Sequence, residues 1–185
     1  MKTLKTIAIA FLFFTISANA QITKGNWMVG GSANFNSTSY ESTSNGGSSS
    51  EGKGIGVTIY PTFGYFIADK LALGLSPSFG YSKTEGGNAY TSYGAGPFVR
   101  YYLLKPEKMI NVLTHIGYSY GTDNSNSTSN ILNFKAGPAI FLNSSVALEL
   151  TLSYNISQLT SDSSSATYKS FNIGFGFQIH LEKEK

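Results

Sequence analysis

The sequence predicts an all-β fold, an eight-stranded antiparallel up-and-down transmembrane β-barrel, on three observations. Large apolar residues alternate with small or polar ones in eight successive segments. The connections between those segments alternate between long polar stretches and short turns. Charged residues make up only 12% of the chain against 14% aromatic, where soluble proteins carry about 25% charge. The C-terminal segment shows the pattern most clearly. Phe171, Ile173, Phe175, Phe177, Ile179 and Leu181 fall on one face of a strand, and Asn172, Gly174, Gly176, Gln178 and His180 on the other. The polar face holds no Lys, Arg, Asp or Glu. A narrow enclosed lumen fits it better than open water, with lipid against the apolar face.

The first twenty residues read separately. Lys2 and Lys5 form a positive start, Ile7 to Ile16 an apolar core, and Ala18-Asn19-Ala20 a cleavage site before Gln21. That apolar run falls short of the ~20 residues a spanning helix needs. The expected organisation is therefore a cleaved signal peptide over 1–20, a barrel over 21–181 and a charged tail over 182–185. Without Lys2 and Lys5 the chain has 11 basic against 10 acidic side chains. A net of +1 gives no reason to expect a nucleic-acid partner. The chain has no Cys and two His, so no disulfide, metal site or cofactor is expected.

Taken in order, the first strand runs from Asn26 to Asn36, with Trp27, Val29, Ala33 and Phe35 outward. Ser37 to Gly52 is a long polar loop. The second strand turns Ile55, Val57, Ile59, Pro61, Phe63, Tyr65 and Ile67 outward and ends at a tight turn, Ala68-Asp69-Lys70. The third turns Leu71, Leu73, Leu75, Pro77, Phe79 and Tyr81 outward before a loop from Lys83 to Ala89. The fourth shows Tyr93, Ala95, Pro97, Val99, Tyr101 and Leu103, then a turn at Lys105 to Lys108. The fifth shows Ile110, Val112, Thr114, Ile116, Tyr118 and Tyr120, then a Ser/Asn loop from Thr122 to Asn130. The sixth shows Leu132, Phe134, Ala136, Pro138, Ile140 and Leu142, and turns at Asn143 to Ser145. The seventh shows Val146, Leu148, Leu150, Leu152, Tyr154 and Ile156, followed by a loop from Ser161 to Ala166 and the eighth strand.

Each segment reaches the ~9–11 residues that a tilted membrane strand needs. An even strand number puts both termini at the short-turn end, which in an outer-membrane barrel is periplasmic. Pro61, Pro77, Pro97 and Pro138 all sit at outward positions. Proline cannot donate to a ladder, so bulges or ladder gaps are expected there. Trp27, Tyr65, Tyr101 and Phe177 lie near the short-turn ends. Phe35, Tyr81, Tyr93, Tyr118, Tyr120 and Tyr154 lie near the long-loop ends. This sorting reads as two aromatic girdles at the membrane interfaces. A soluble barrel of the lipocalin kind would need the bulky face inside, and eight strands cannot enclose six or seven large residues each.

Few charges point inward: Arg100, Lys135 and Glu149, with His115 and His180 as neutral candidates. Such groups read as an interior hydrogen-bonded network, because an unpaired buried charge is costly. Inward glycines such as Gly64, Gly74 and Gly96 leave room for Tyr60, Phe66, Phe98, Arg100, Tyr102 and Phe141.

The pattern resembles a known family, the small outer-membrane β-barrel domain proteins, the OmpA/OmpX-like eight-stranded barrels. The resemblance spans Gly25 to Leu181. It rests on Gly25-Asn26-Trp27, on the block from Pro61 to Gly74, on Gly96-Pro97-Phe98-Val99-Arg100-Tyr101-Tyr102, and on Gly174-Phe175-Gly176-Phe177. It implies outer-membrane lipid as the surroundings, the barrel-assembly machinery as a partner during insertion, and a monomer. It also implies a C-terminal aromatic read by that machinery. Here the sequence departs from that pattern, continuing past Leu181 into Glu182-Lys183-Glu184-Lys185, with Phe177 as the candidate for that role. Some small barrels modify lipid A, one class with a His/Ser pair spaced by one residue. Here His115 is followed by Ile116 and Gly117, and Ser119 lies further on, so no catalysis is expected. The polar loops hold few aromatic or Arg anchors. The reading is therefore a structural, envelope-supporting barrel with a side-chain-filled lumen, ahead of a surface-binding module or a small-solute pore.

Overall fold

The structure, a computed structural model, describes residues 22–43 and 49–182. The expected signal peptide lies outside these residues, as do the last three residues of the tail. Ten strands form one antiparallel sheet: β1 (Trp27–Thr43), β2 (Ser49–Ala68), β3 (Leu71–Leu75), β4 (Ser78–Thr84), β5 (Ala89–Ala95), β6 (Pro97–Tyr102), β7 (Ile110–Asp123), β8 (Thr128–Phe141), β9 (Val146–Ser161) and β10 (Ser164–Leu181). β3 with β4, and β5 with β6, are two halves of single passes, so the ten strands make eight passes. β1 pairs with β2 on one side and β10 on the other, which closes the ring.

The closure is staggered. Trp27 pairs with Tyr65, and the row continues through Leu73, Val99, Ile116, Phe134 and Tyr154 to Phe171. The partner of Trp27 on β10 is nevertheless Leu181, ten residues beyond Phe171. That offset is the shear that tilts the strands of a closed barrel. Every residue in this row points outward, so the row is also a spiral band of apolar surface.

The prolines fall where the ladders break. Pro77 lies in the gap between β3 and β4, held by paired hydrogen bonds between Ser76 and Gly96. Pro97 follows the break at Gly96, which separates β5 from β6. The β8–β9 ladder skips Gly137 and Pro138. Pro61 departs from the expectation on one side. It pairs with Gly31 within an unbroken β1–β2 ladder, and its other edge faces the β3–β4 gap. One shared interruption thus serves both Pro61 and Pro77, so neither removes a donor that the sheet needs.

The strands run further than the apolar alternation reaches. β1 extends to Thr43 and pairs in register with β2 as far as Ser49. β7 and β8 join at Asp123 and Thr128, and β9 and β10 at Ser161 and Ser164. Stretches read as loops are mostly hairpin. Beyond the apolar band both faces of a strand are polar, so the alternation that reveals a strand is lost while its backbone pairing continues. The short-turn end is tighter. Asp69 and Lys70 form a two-residue turn, with Lys70 at a φ of 68°. There Ile22 is buried, and its carbonyl accepts a hydrogen bond from the Lys70 amide at 2.7 Å.

The packed core lies inside the short-turn half of the barrel. Met28, Phe66, Ala72, Phe98, Tyr102, Leu113, Phe141 and Ala147 are buried, each facing inward. Glycines admit the rings. A Cβ on Gly74 would meet the Phe98 ring at 2.5 Å and the Phe63 carbonyl oxygen at 2.1 Å, whereas one on Gly174 would meet nothing closer than 3.5 Å. We expect Gly74→Val to cost at least ~1–3 kcal/mol by overpacking and Gly174→Ala to be tolerated. Urea unfolding in detergent micelles, followed by the mobility of folded barrel on cold gels, reads the difference.

Candidate functional site

The inward side chains of six passes meet in the short-turn half of the lumen. Arg100 on β6, His115 on β7 and Lys135 on β8 are neighbours on one ladder row. Glu149 stands on β9, across from Arg100. The Arg100 guanidinium donates to the Glu149 carboxylate at 2.7 Å, with both side chains almost fully buried. Tyr102 donates to the same carboxylate oxygen at 3.4 Å, and its hydroxyl lies 3.3 Å from Nε2 of His180. Met28 reaches up from β1; its sulfur accepts from Arg100 at 3.5 Å and lies 3.7 Å from the Tyr102 hydroxyl.

Of the five inward groups singled out for the lumen, the structure brings Arg100 and Glu149 into contact, and His180 joins them through Tyr102. His115 instead stacks on Phe98, with ring centroids 4.9 Å apart. Lys135 is half-buried beside it on the row. The contacts that complete the network come from Tyr102, His180 and Met28. All three carry inward parity in the sequence, yet nothing in a one-strand pattern says which inward residues meet across a barrel. Phe66, Tyr102, Phe141 and His180 pack as a ring cluster, with centroids 5.3 to 6.3 Å apart. Together with Ile22 they fill the section beneath the ion pair.

The other half of the lumen is different. Tyr60, expected among the space-filling residues, is 44% exposed. It lines an open vestibule with Thr58, Ser78, Ser92 and Ser119, a cavity of about 130 Å³. Tyr90, Ile131 and Leu159 border the same space without closing over it, so Tyr60 stays exposed. Asn133 hydrogen-bonds Asn155 across the β8–β9 ladder. At the rim, beyond the membrane-spanning band, Asp123 accepts hydrogen bonds from the Tyr90 hydroxyl and the Ser125 and Ser127 amides, at 2.8 to 3.0 Å. Its slight desolvation would raise the carboxyl pKa, but these three bonds outweigh it and hold the group below its ordinary value.

On the outer wall, Trp27, Tyr81, Tyr101 and Tyr118 are exposed, and Tyr65 and Tyr154 are half-buried against neighbours. Trp27 meets Tyr65 edge-on, centroids 5.0 Å apart, and Tyr154 meets Phe171 at 4.8 Å. Among the described residues no three His, Asp or Glu side chains are grouped so as to hold a metal ion.

Because both partners of the Arg100–Glu149 pair are buried, removing one strands the other. We expect Arg100→Ala or Glu149→Ala to destabilise the barrel by ~3–5 kcal/mol, and Arg100→Met with Glu149→Leu to recover most of the loss. Urea unfolding of the three variants in one lipid system checks the sign of the coupling.

The family model for the outer membrane protein beta-barrel domain matches residues 6–184. The fold is similar to the crystal structure of the outer membrane protein OprG from Pseudomonas aeruginosa, with a TM-score of 0.53 and 15% identity over 89% of this chain and 100% of that one. It is likewise similar to Neisserial surface protein A, NspA, with a TM-score of 0.52 and 15% identity over 84% of this chain and 97% of that one. No curated protein matches the sequence. A match over nearly the whole chain, joined to a closed sheet with an apolar outer wall, places the protein in the outer membrane β-barrel family.

Proposed function

We propose that the protein is a structural barrel of the outer membrane, supporting envelope integrity with a lumen that does not conduct and does no chemistry. The observation that carries this reading is the Arg100–Glu149 pair, set above Met28, Phe66, Tyr102, Phe141 and His180. An eight-pass barrel is just wide enough for its own side chains, and these occupy one half of it. The vestibule above holds about 130 Å³, well under the ~300–1,000 Å³ of a small-molecule pocket. His115, stacked on Phe98 and facing inward, is poorly placed to act on a lipid.

The remaining assignments follow from the same reading. Residues 1–20 direct export and are removed. The short turns and both described chain ends share one end of the barrel, which we assign to the periplasm, and the long hairpins face outward. Trp27, Tyr65 and Tyr101 form the inner girdle and Tyr81, Tyr118 and Tyr154 the outer one, since amphipathic rings favour the headgroup level. Assembly into the membrane requires the barrel-assembly machinery.

Planar-bilayer recording tests the closed lumen. Purified protein should give no stable conductance on the nanosiemens scale, and a steady opening of that size would establish a pore. Deleting the protein from its host should raise sensitivity to detergents and bulky antibiotics. A chain trimmed over 39–50 should restore resistance in full. If trimming instead abolished adhesion to a defined partner while the barrel still assembled, recognition through the hairpins would be the function.

A further inference from the structure

The outer wall is recessed over β6, β7 and β8. A hollow of about 310 Å³ lies there, where Val99, Tyr101, Ile116 and Phe134 surround Thr114 and the inward-parity residues His115 and Lys135 complete the lining. Its cause is one ladder row. Tyr101 pairs with Thr114, Thr114 with Ala136, and Ala136 with Leu152. Two small outward residues thus stand between two large ones. The next row toward the long hairpins runs Val99, Ile116, Phe134 and Tyr154, with no small member. The Thr114 hydroxyl donates to the Tyr101 carbonyl at 3.3 Å. The hollow therefore leaves no hydroxyl unpaired toward lipid, which offers no hydrogen bond in return.

Cations gather at the short-turn end of the same strands. The Lys70 ammonium lies over the Tyr101 ring, 5.4 Å from its centre, and donates to the Leu103 carbonyl at 3.5 Å. Tyr101 is thus shared, since its ring both walls the hollow and carries Lys70. Lys105 and Lys108 are exposed in the turn that joins β6 to β7, the strands on which Tyr101 and Thr114 stand. Two carboxylates share these turns, Glu107 and Asp69, and Asp69 accepts a hydrogen bond from the Lys24 amide at 2.9 Å. Among the described residues the one ion pair is Arg100–Glu149, so neither carboxylate neutralises the three lysines by direct contact. Tyr rings favour the headgroup level, and a lysine stem can lie along an apolar wall while its charge reaches that level.

We propose that this hollow is a docking site for an anionic glycerophospholipid. One acyl chain fills the space over Thr114 and Ala136, and the phosphate sits at the level of Tyr101, held by Lys70 with Lys105 and Lys108. Three ammonium groups against two carboxylates favour a lipid of net negative charge over a zwitterionic one. A lipid in the hollow completes the packing of a wall that its own side chains leave recessed. In the cell the site rests on the periplasmic assignment of the short turns, because that leaflet supplies glycerophospholipid.

Native mass spectrometry tests the site, on protein taken in mild detergent from bilayers of phosphatidylglycerol and phosphatidylethanolamine in equal amounts. Phosphatidylglycerol should stay bound in clear excess. Lys70→Gln should lower its occupancy ~5-fold, the worth of a lysine near an anionic lipid surface. Thr114→Leu fills the hollow and should abolish retention, with mobility on cold gels reporting that the barrel is folded. Ala33→Leu, which enlarges a small outward residue on β1, should leave retention unchanged. Both leaflets hold the same lipids here, so an error in the periplasmic assignment does not alter the result. Such an error would show separately, as labelling of Lys105→Cys in whole cells by a thiol reagent that does not cross the outer membrane. Equal retention of the two lipids would overturn the proposal. So would retention of phosphatidylglycerol that neither Thr114→Leu nor Lys70→Gln reduces.

Discussion

The fold depends on one constraint. A chain crossing lipid must satisfy each backbone N–H and C=O from within, at several kcal/mol for each one left over. A sheet can meet that demand only by returning to its own first strand, and here β1 pairs with both β2 and β10. Once the sheet is a ring, its two faces meet different solvents. Period-two side-chain geometry then sorts Leu148, Leu150 and Leu152 to the lipid and Ala147, Glu149 and Thr151 to the lumen. Proline is confined to places where the ladder already breaks, as at Pro77 and Pro138. Extra ring on one side of a pass requires its absence on another, as with Phe98 over Gly74.

The interior inverts the usual relation between charge and burial. In a soluble core Arg100 and Glu149 would be an expensive choice, since two apolar residues of similar volume often serve as well. Inside this barrel they join passes that are far apart in sequence, and Tyr102, His180 and Met28 gather round them. The pair links β6 to β9 across the lumen, a connection that no backbone ladder makes. The half of the lumen without it stays open, although Tyr60, Tyr90, Ile131 and Leu159 border it among the smaller Ser, Thr and Gly residues.

Much of this was legible in the sequence because lipid imposes a periodic demand. Eight passes, their phase, the short turn at Asp69 and Lys70, and the inward orientation of Arg100 and Glu149 all follow from alternation. Where the demand ceases, so does the legibility. The Ser-rich ends of β1 and β2 carry no apolar alternation, so pairing out to Thr43 and Ser49 leaves no trace in hydropathy. The breaks at Ser76 and Gly96 came half into view, through the prolines beside them. Tyr60 was placed on the correct face, but its height along the barrel, which decides whether it packs, depends on the stagger. The partners of Glu149 depend on it too. The stagger is a property of the closed ring and of no single strand.

The account stands on the two faces of each pass, and collision of spin labels with oxygen and with a nickel chelate reads them directly. Labels placed singly from Val146 to Asn155 along β9, in lipid bilayers, should show a period of two. Oxygen collisions should peak at Val146, Leu148, Leu150, Leu152 and Tyr154. Ala147 and Glu149 should be shielded from both reagents, and nickel access should rise through Thr151, Ser153 and Asn155 toward the open vestibule. An inverted phase, or no period at all, would contradict a lipid-facing wall around a packed lumen.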